Sequence, residues 1–459
     1  MRKFVIIEYW ALMYIILMLL FCFIANKFYP SFGIILFQIF FVCSITLLSS
    51  IFLKRSVSHN VILFVLTVFQ LFATIWARIF NKIQYHNYLG FEPADAQFYH
   101  DIGTRFSDSS FSVYDMFIFF ESNSIAVDDW GFCSIISFIY SLFGINIGMQ
   151  LLALCNVLFI IVGAHFLYKL SRYFADDYCA NSICFLWGIM PFSVYTSSVG
   201  LKENYMVFCV IISVYYLYEF MRRSTFRNLL LFGGFAASLL FFRTAIFFML
   251  IATFLFVYMI RFSLIAKNIN LWLSFLFVLS YLIFGVIVDF IGGLRGNVSM
   301  ETIQMGINAK ISENGGIIAK MTNFLAILIG PFPCFVADRM KVNYITLYSF
   351  GTMMKMMLSG FYIYGVIRII KEKDLFFYPL LIFIFLHSIM LIMTFFTLHD
   401  RYQWVQIPFV LLISLYGYNK LNNERRILQQ LIFGIYPLLM LLFIITVSYT
   451  HLRAHETLS

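Results

Sequence analysis

Charge is scarce in this chain. Only 12% of its 459 residues are Asp, Glu, Lys or Arg, while 62% are hydrophobic, and an ordinary soluble domain carries about twice that charge. With a mean hydropathy of +0.90 and apolar runs of about 18 to 25 residues, the composition excludes a soluble globular protein. The runs are continuously apolar rather than alternating, so spanning helices are expected and not a barrel. Eight cysteines are scattered through mostly apolar segments with no Cys-x-x-Cys pair, which points to packing rather than to a disulfide framework or a zinc site. There is no Gly-x-x-x-x-Gly-Lys-Ser/Thr loop, no His-Glu-x-x-His and no Gly-x-Ser-x-Gly, so an ATP-driven pump, a zincin and a serine hydrolase are not indicated. No inverted repeat or low-complexity tract is visible.

What the chain has is a series of apolar segments with basic ends. Spans are expected near 4–25, 32–53, 60–80, 145–168, 178–198, 203–221, 226–242, 244–262, 270–291, 344–367, 375–397, 402–419 and 430–448. The fold class is therefore all-α, a polytopic transmembrane helical bundle of about 11 to 13 spans. Met1-Arg-Lys leads into an apolar run without a small-residue cleavage site, and reads as the start of the first span rather than a signal peptide. With the N-terminus cytoplasmic, Lys54/Arg55, Lys169/Arg172, Arg222/Arg223/Arg227, Arg261/Lys267, Arg368/Lys371/Lys373 and Lys420/Arg425/Arg426 all fall inside, as the positive-inside rule requires. The formal charge of +9 is thus explained by clusters at helix ends, and no nucleic-acid partner is implied.

This orientation divides the chain into three N-terminal spans (1–80), an outer acidic loop (81–144), a central bundle (145–291), a second outer loop (292–343) and C-terminal spans (344–447). Ser448 to Ser459 reads as translated adapter sequence. The first loop ends in Gly131 to Phe143, too short to span and expected as an interfacial helix. The second contains Gly330-Pro-Phe-Pro-Cys334, whose prolines suggest a re-entrant segment.

Residues Gln84 to Trp130 hold eight acidic side chains, with Glu92-Pro-Ala-Asp95-Ala-Gln-Phe-Tyr99 at their centre. Asp95 and Tyr99 are four apart and share a face if the segment is helical. Asp95 is either a catalytic or ligand-binding carboxylate or a plain helix-start residue. Asp128-Asp129 reads more readily as a helix cap than as a site. Lys202-Glu203 sits between two tightly connected spans; adjacent ions cannot share a helix face, so Lys202 suits a phosphate and Glu203 a hydroxyl or cation, unless both are snorkelling ends of an interfacial turn. Arg243 lies between two apolar runs and needs water, a lipid phosphate or a ligand. In His399-Asp400-Arg401-Tyr402, His399, Arg401 and Tyr402 can together bind a phosphate or diphosphate, the alternative being an interface girdle. His165 and His387 fall near or inside spans and read as core polar residues.

Taken together, these residues resemble the GT-C class of integral membrane glycosyltransferases, in particular the bacterial relatives of protein mannosyltransferases and of aminoarabinose and rhizobial lipopolysaccharide transferases. The matching elements are Asp95 with Tyr99, the segment from Gly131 to Gly144 before Leu151 to Tyr173, the stretch from Pro191 to Lys202-Glu203, and Arg401-Tyr402 with Pro408 and Gly417. The resemblance implies a GT-C-like bundle in the bacterial plasma membrane and a polyprenyl-phosphate or polyprenyl-diphosphate sugar donor entering from the bilayer. It also implies a glycan or glycolipid acceptor on the outer face. Asp95 would be the base, Lys202 and Arg401 would hold the donor phosphate, and Glu203 would line the pocket; a divalent cation is left open. Three apolar runs precede Asp95 where the family usually has one, and Asp95 is flanked by Ala94 and Ala96 instead of a second acid. A Wzy-like polysaccharide polymerase and a flippase for lipid-linked oligosaccharide are the alternatives. Charge gathers at helix ends rather than along the spans, where Lys355 and Asp289 are the chief exceptions, and this favours surface chemistry over transport.

Overall fold

The computed structural model describes residues 57–90, 94–106, 112–261, 317–330, 353–394, 396–397 and 400–421, together with a few isolated positions. The spans expected at 4–25, 32–53, 270–291 and 430–448 lie outside them, as do Glu92, Pro93, Asp289, the re-entrant prolines and the C-terminal dozen. All regular structure among the described residues is helical. Three of these helices are long and apolar enough to cross a membrane, or four if one bent pair counts as a single span.

The first long helix, α1 (His59–Tyr85), is followed by two short helices of the acidic loop, α2 (Ala94–Arg105) and α3 (Val113–Ser122). Next comes α4 (Val127–Ser171), which is two helical arms joined at Gly144. Gly144 has φ 72° and ψ 166°, a region essentially restricted to glycine. The chain turns back there, bringing Gly148 against the ring of Tyr140. A helix is thus present over the expected 131–143, but it starts at Val127, four residues earlier. Asp128 and Asp129 lie in its first turn, and the cap position belongs to Ala126, whose side chain makes no capping bond. Helix α2 packs on this arm through Gly103, where a side chain would meet Ile136 and Tyr140.

The expected span at 178–198 is broken into α5 (Asp177–Gly188) and α6 (Pro191–Val199), bent by 44°. Pro191 has no N–H to offer an unbroken helix and sits comfortably in a first turn. The break exposes backbone carbonyls inside the bundle, and polar side chains satisfy them: Gln70 donates to the Gly188 carbonyl at 2.6 Å and to Ser193 Oγ at 2.7 Å. Asn204 holds the same turn, donating to Ser197 Oγ at 2.8 Å and accepting from Thr196 at 2.7 Å. Arg78 of α1 donates to the Ser198 carbonyl at 2.8 Å, a cation at a helix C-terminus. Gly200, at φ 76°, ends α6 in the left-handed conformation and sends the chain directly into α7 (Glu203–Arg222).

Helices α8 (Phe226–Ser238) and α9 (Thr244–Arg261) follow, joined by a 3-10 turn at Leu239–Phe241. Then come α10 (Ile317–Leu328), α11 (Met353–Glu372), α12 (Tyr378–Met393), the short α13 (Asp400–Gln403) with a 3-10 turn at Trp404–Gln406, and α14 (Ile407–Leu421). Trp187 of α5 stacks on Trp404 at 4.5 Å between ring centroids, both fully buried, which fixes the entry to α14. Lys355, expected within a span, lies in the first turn of α11; it donates to the Ile327 carbonyl at 2.7 Å and to Gln403 Oε1, and Gln403 donates to the Ala326 carbonyl at 2.9 Å. It therefore ties the C-terminal carbonyls of α10 to the end of α13.

Helices α11 and α14 approach so closely that Gly365 and Gly417 face each other's backbone, the small-residue contact that lets apolar helices pack without a hydrophobic driving force. A methyl on Gly417 would overlap the Phe361 carbonyl. Gly417→Ala is expected to destabilise the bundle by about 2 kcal/mol, read as a lower melting temperature in detergent; an unchanged melting temperature contradicts this contact.

Candidate functional site

Four helix junctions that are remote in sequence meet at one end of the bundle: the start of α2, the start of α4, the α6–α7 link and α13, with the α8–α9 link beside them. Asp95 is in the first turn of α2, as the sequence suggested. Its carboxylate pairs with Arg401 Nη1, and Arg401 Nε pairs with Glu203 Oε1. One guanidinium thus bridges two carboxylates of opposite exposure, since Asp95 is 52% exposed and Glu203 only 2%. Burial works against the charge on Arg401, but Glu203 and then Asp95 outweigh it and hold its pKa above the ordinary arginine value.

A second cluster lies alongside. Tyr99 donates to Asp129 Oδ1 at 2.8 Å, and Lys202 donates to the same oxygen and to the Asp128 carbonyl at 2.8 Å. Tyr99 is 2% exposed; burial, followed by the Asp129 and Glu203 charges, pushes its hydroxyl well above the usual tyrosine range. It is held as a neutral donor. Burial pulls the Lys202 ammonium down more strongly than Asp129 holds it up. Expected as a phosphate ligand, Lys202 is committed to Asp129.

Asp128 does cap a helix, but not its own. Its Oδ1 accepts from the Thr244 N–H at 2.9 Å and from the Thr244 hydroxyl, so a buried carboxylate at the start of α4 caps the N-terminus of α9. That anchors the α8–α9 link and places Arg243 over the ring of Tyr402 at 4.8 Å. Sequence reasoning passed over both aspartates as local caps. Their partners are 73 and 116 residues away, and an Asp-Asp pair in a first turn carries no sign of either.

Between these groups runs a narrow crevice of about 10 Å³, room for one water-sized group, lined by Glu203, Arg243, Arg401 and Tyr402 and by His387 of α12. His387 is a buried polar residue, as expected, and also lines this crevice, while His165 is hydrogen-bonded to His59 at 2.9 Å elsewhere in the bundle. His399 lies outside the described residues. A larger cavity of about 250 Å³ lies among Phe174, Leu412, Tyr416 and Lys420, at the end where Arg368 and Lys420 both pair with Glu372. Its charged group is satisfied, since Lys420 and Tyr416 both donate to Glu372, so the cleft at Arg401 is the better candidate for chemistry. Among the described residues no group of three or more His, Cys, Asp or Glu side chains is placed to hold a metal ion.

No family model, curated protein or solved structure matches the chain. Function must therefore be argued from this geometry.

Chemically, the cleft offers two guanidinium groups for an anion and a buried carboxylate on its wall, and the half-exposed carboxylate of Asp95 sits beside it on Arg401. Tyr99, Asp129 and Lys202 brace α2 against α4 and α7 and so position Asp95. Lys202→Met leaves Asp129 without its cation and is expected to cost about 3 kcal/mol, with much of the loss recovered by adding Asp129→Asn. Thermal unfolding in detergent measures both; purely additive losses would contradict the coupling.

Proposed function

We propose that the chain is a membrane glycosyltransferase that moves a sugar from a polyprenyl-phosphate-linked donor to a surface glycan or lipid acceptor at the outer face of the plasma membrane. The observation that carries this reading is the bridging of Asp95 and Glu203 by Arg401 at the mouth of a cleft shared with Arg243. A lipid-phosphate leaving group needs fixed cations where its charge develops. An attacking hydroxyl needs a carboxylate beside it. The site places the two kinds of group within one side chain of each other.

The arrangement suggests how the two tasks are coupled. Asp95 is paired with Arg401. A donor phosphate carries accepting oxygens on a compact anion and competes for the Nη edge of the guanidinium, while Glu203, buried and on Nε, keeps Arg401 in place. Asp95 is then released toward the exposed side, where an acceptor hydroxyl can approach. The acceptor oxygen attacks the anomeric carbon, the bond from that carbon to the phosphate oxygen breaks, and polyprenyl phosphate leaves with the bonding pair. The hydroxyl proton passes to Asp95. Arg401 and Arg243 balance the leaving charge, and Tyr99, Lys202 and Asp129 act at one remove as positioning residues.

Asp95→Asn retains shape and removes the base; transfer from a polyprenyl-phosphate sugar in membranes containing the chain is expected to fall by at least about a hundredfold with abundance unchanged. Arg401→Lys retains charge without the fork that serves two oxyanions, and a loss of about tenfold or more is expected. Full activity in Asp95→Asn removes the base assignment, and full activity in Arg401→Lys removes the bridging role.

A further inference from the structure

The cleft holds two polar atoms that the mechanism above does not use. Glu203 spends one oxygen on Arg401; its other, Oε2, is buried and has no hydrogen-bond partner among the described residues. His387, 1% exposed on α12, is in the same position: its Nδ1 is buried and unpartnered, and Gln406 stands beside the ring. Both residues line the same cleft. Buried polar atoms without partners are uncommon and call for an explanation.

We infer that Glu203 Oε2 and His387 Nδ1 form a subsite that takes one hydroxyl group of the donor sugar, the size of group the crevice admits. The class of ligand follows from hydrogen-bond arithmetic. The carboxylate oxygen can only accept, so its partner must donate. His387 Nδ1 is a donor in one tautomer and an acceptor in the other, and Gln406, itself a donor to Gln403 at 3.3 Å and an acceptor from Ser388 at 3.3 Å, can serve either. Hydroxyl groups, which donate and accept, match this pair in both states. A carboxylate or phosphate would be repelled by Glu203, and an alkyl chain would leave both atoms unpaired. Arg243 and Arg401 line the same crevice, so cationic and hydroxyl-binding groups adjoin there, as phosphate and hydroxyl do in a sugar phosphate. Gln406 is in turn bonded to Gln403, which holds Lys355, so the orientation of His387 is set by a polar chain running into the bundle.

This inference rests on the glycosyl-transfer reading, and the test separates the two. The full chain in phospholipid nanodiscs is titrated with undecaprenyl phosphate and with its glucosyl, galactosyl and mannosyl phosphodiesters, in wild type, His387→Asn and His387→Gln. The Asn amide stands where Nδ1 does, and the Gln amide reaches where the other ring nitrogen does. Wild type is expected to bind at least one sugar lipid about tenfold more tightly than the bare lipid, the scale of one net hydrogen bond. His387→Asn should keep that preference and His387→Gln should lose it, with bare-lipid affinity unchanged in both. If wild type binds all four lipids alike, or if His387→Gln keeps the preference and His387→Asn loses it, the subsite is overturned while phosphate binding stands. If wild type binds none of them, the phosphate reading falls and the subsite with it.

Discussion

The Arg401 guanidinium, held between Asp95 and Glu203, is the interaction on which the arrangement of this end of the bundle depends. Its two carboxylate partners are 306 and 198 residues away in sequence, one on a short helix of the acidic loop and one at the first turn of a long apolar helix. Charges in an apolar bundle are costly unless paired, so the loop is tied to the bundle by electrostatics and not by hydrophobic burial alone. The partners are not equivalent. Glu203 is buried and would be left uncompensated by loss of Arg401, a penalty of about 3 to 5 kcal/mol, whereas Asp95 is half exposed and can exchange partners at little cost. One anchor is fixed and one is labile, and a carboxylate that must be free at one moment and restrained at another needs that asymmetry.

The backbone prepares this contact. Pro191 breaks a span, Gln70 and Asn204 satisfy the polar groups the break exposes, and Gly200 turns the chain so that Lys202 and Glu203 emerge together but face different partners. Asp128 caps α9 from another helix and brings Arg243 over Tyr402. Lys355 and Gln403 pin the turn that carries Arg401. Each device puts a charged or polar side chain on the otherwise orphaned backbone groups of a helix end, so the same chemistry that keeps the bundle dry also aims the site.

Much of this was legible in the chain itself. Apolar length and basic flanks marked most of the long helices among the described residues, though not α10 in the second loop, and the rarity of ions singled out Asp95, Lys202, Glu203, Arg243 and Arg401, all of which meet at one end. The pairings were not legible. Lys202 reads as a phosphate ligand until Asp129 is seen on it, and Asp128 reads as a local cap until Thr244 is seen beneath it. His387 reads as core because nothing in a run of leucines and isoleucines reveals that one face lines a cleft. Helix ends are encoded locally, by proline, glycine and the hydropathy profile. Which end meets which is decided by packing over hundreds of residues, and charge complementarity alone leaves several pairings open.

The central claim is that donor phosphate replaces Asp95 on Arg401. Cryo-electron microscopy of the full chain in nanodiscs, with and without undecaprenyl phosphate, tests it most directly. With lipid bound, phosphate density is expected within about 4 Å of the Arg401 guanidinium, with Glu203 still paired and the Asp95 carboxylate turned away. Phosphate bound elsewhere while Asp95 stays on Arg401 would contradict the account.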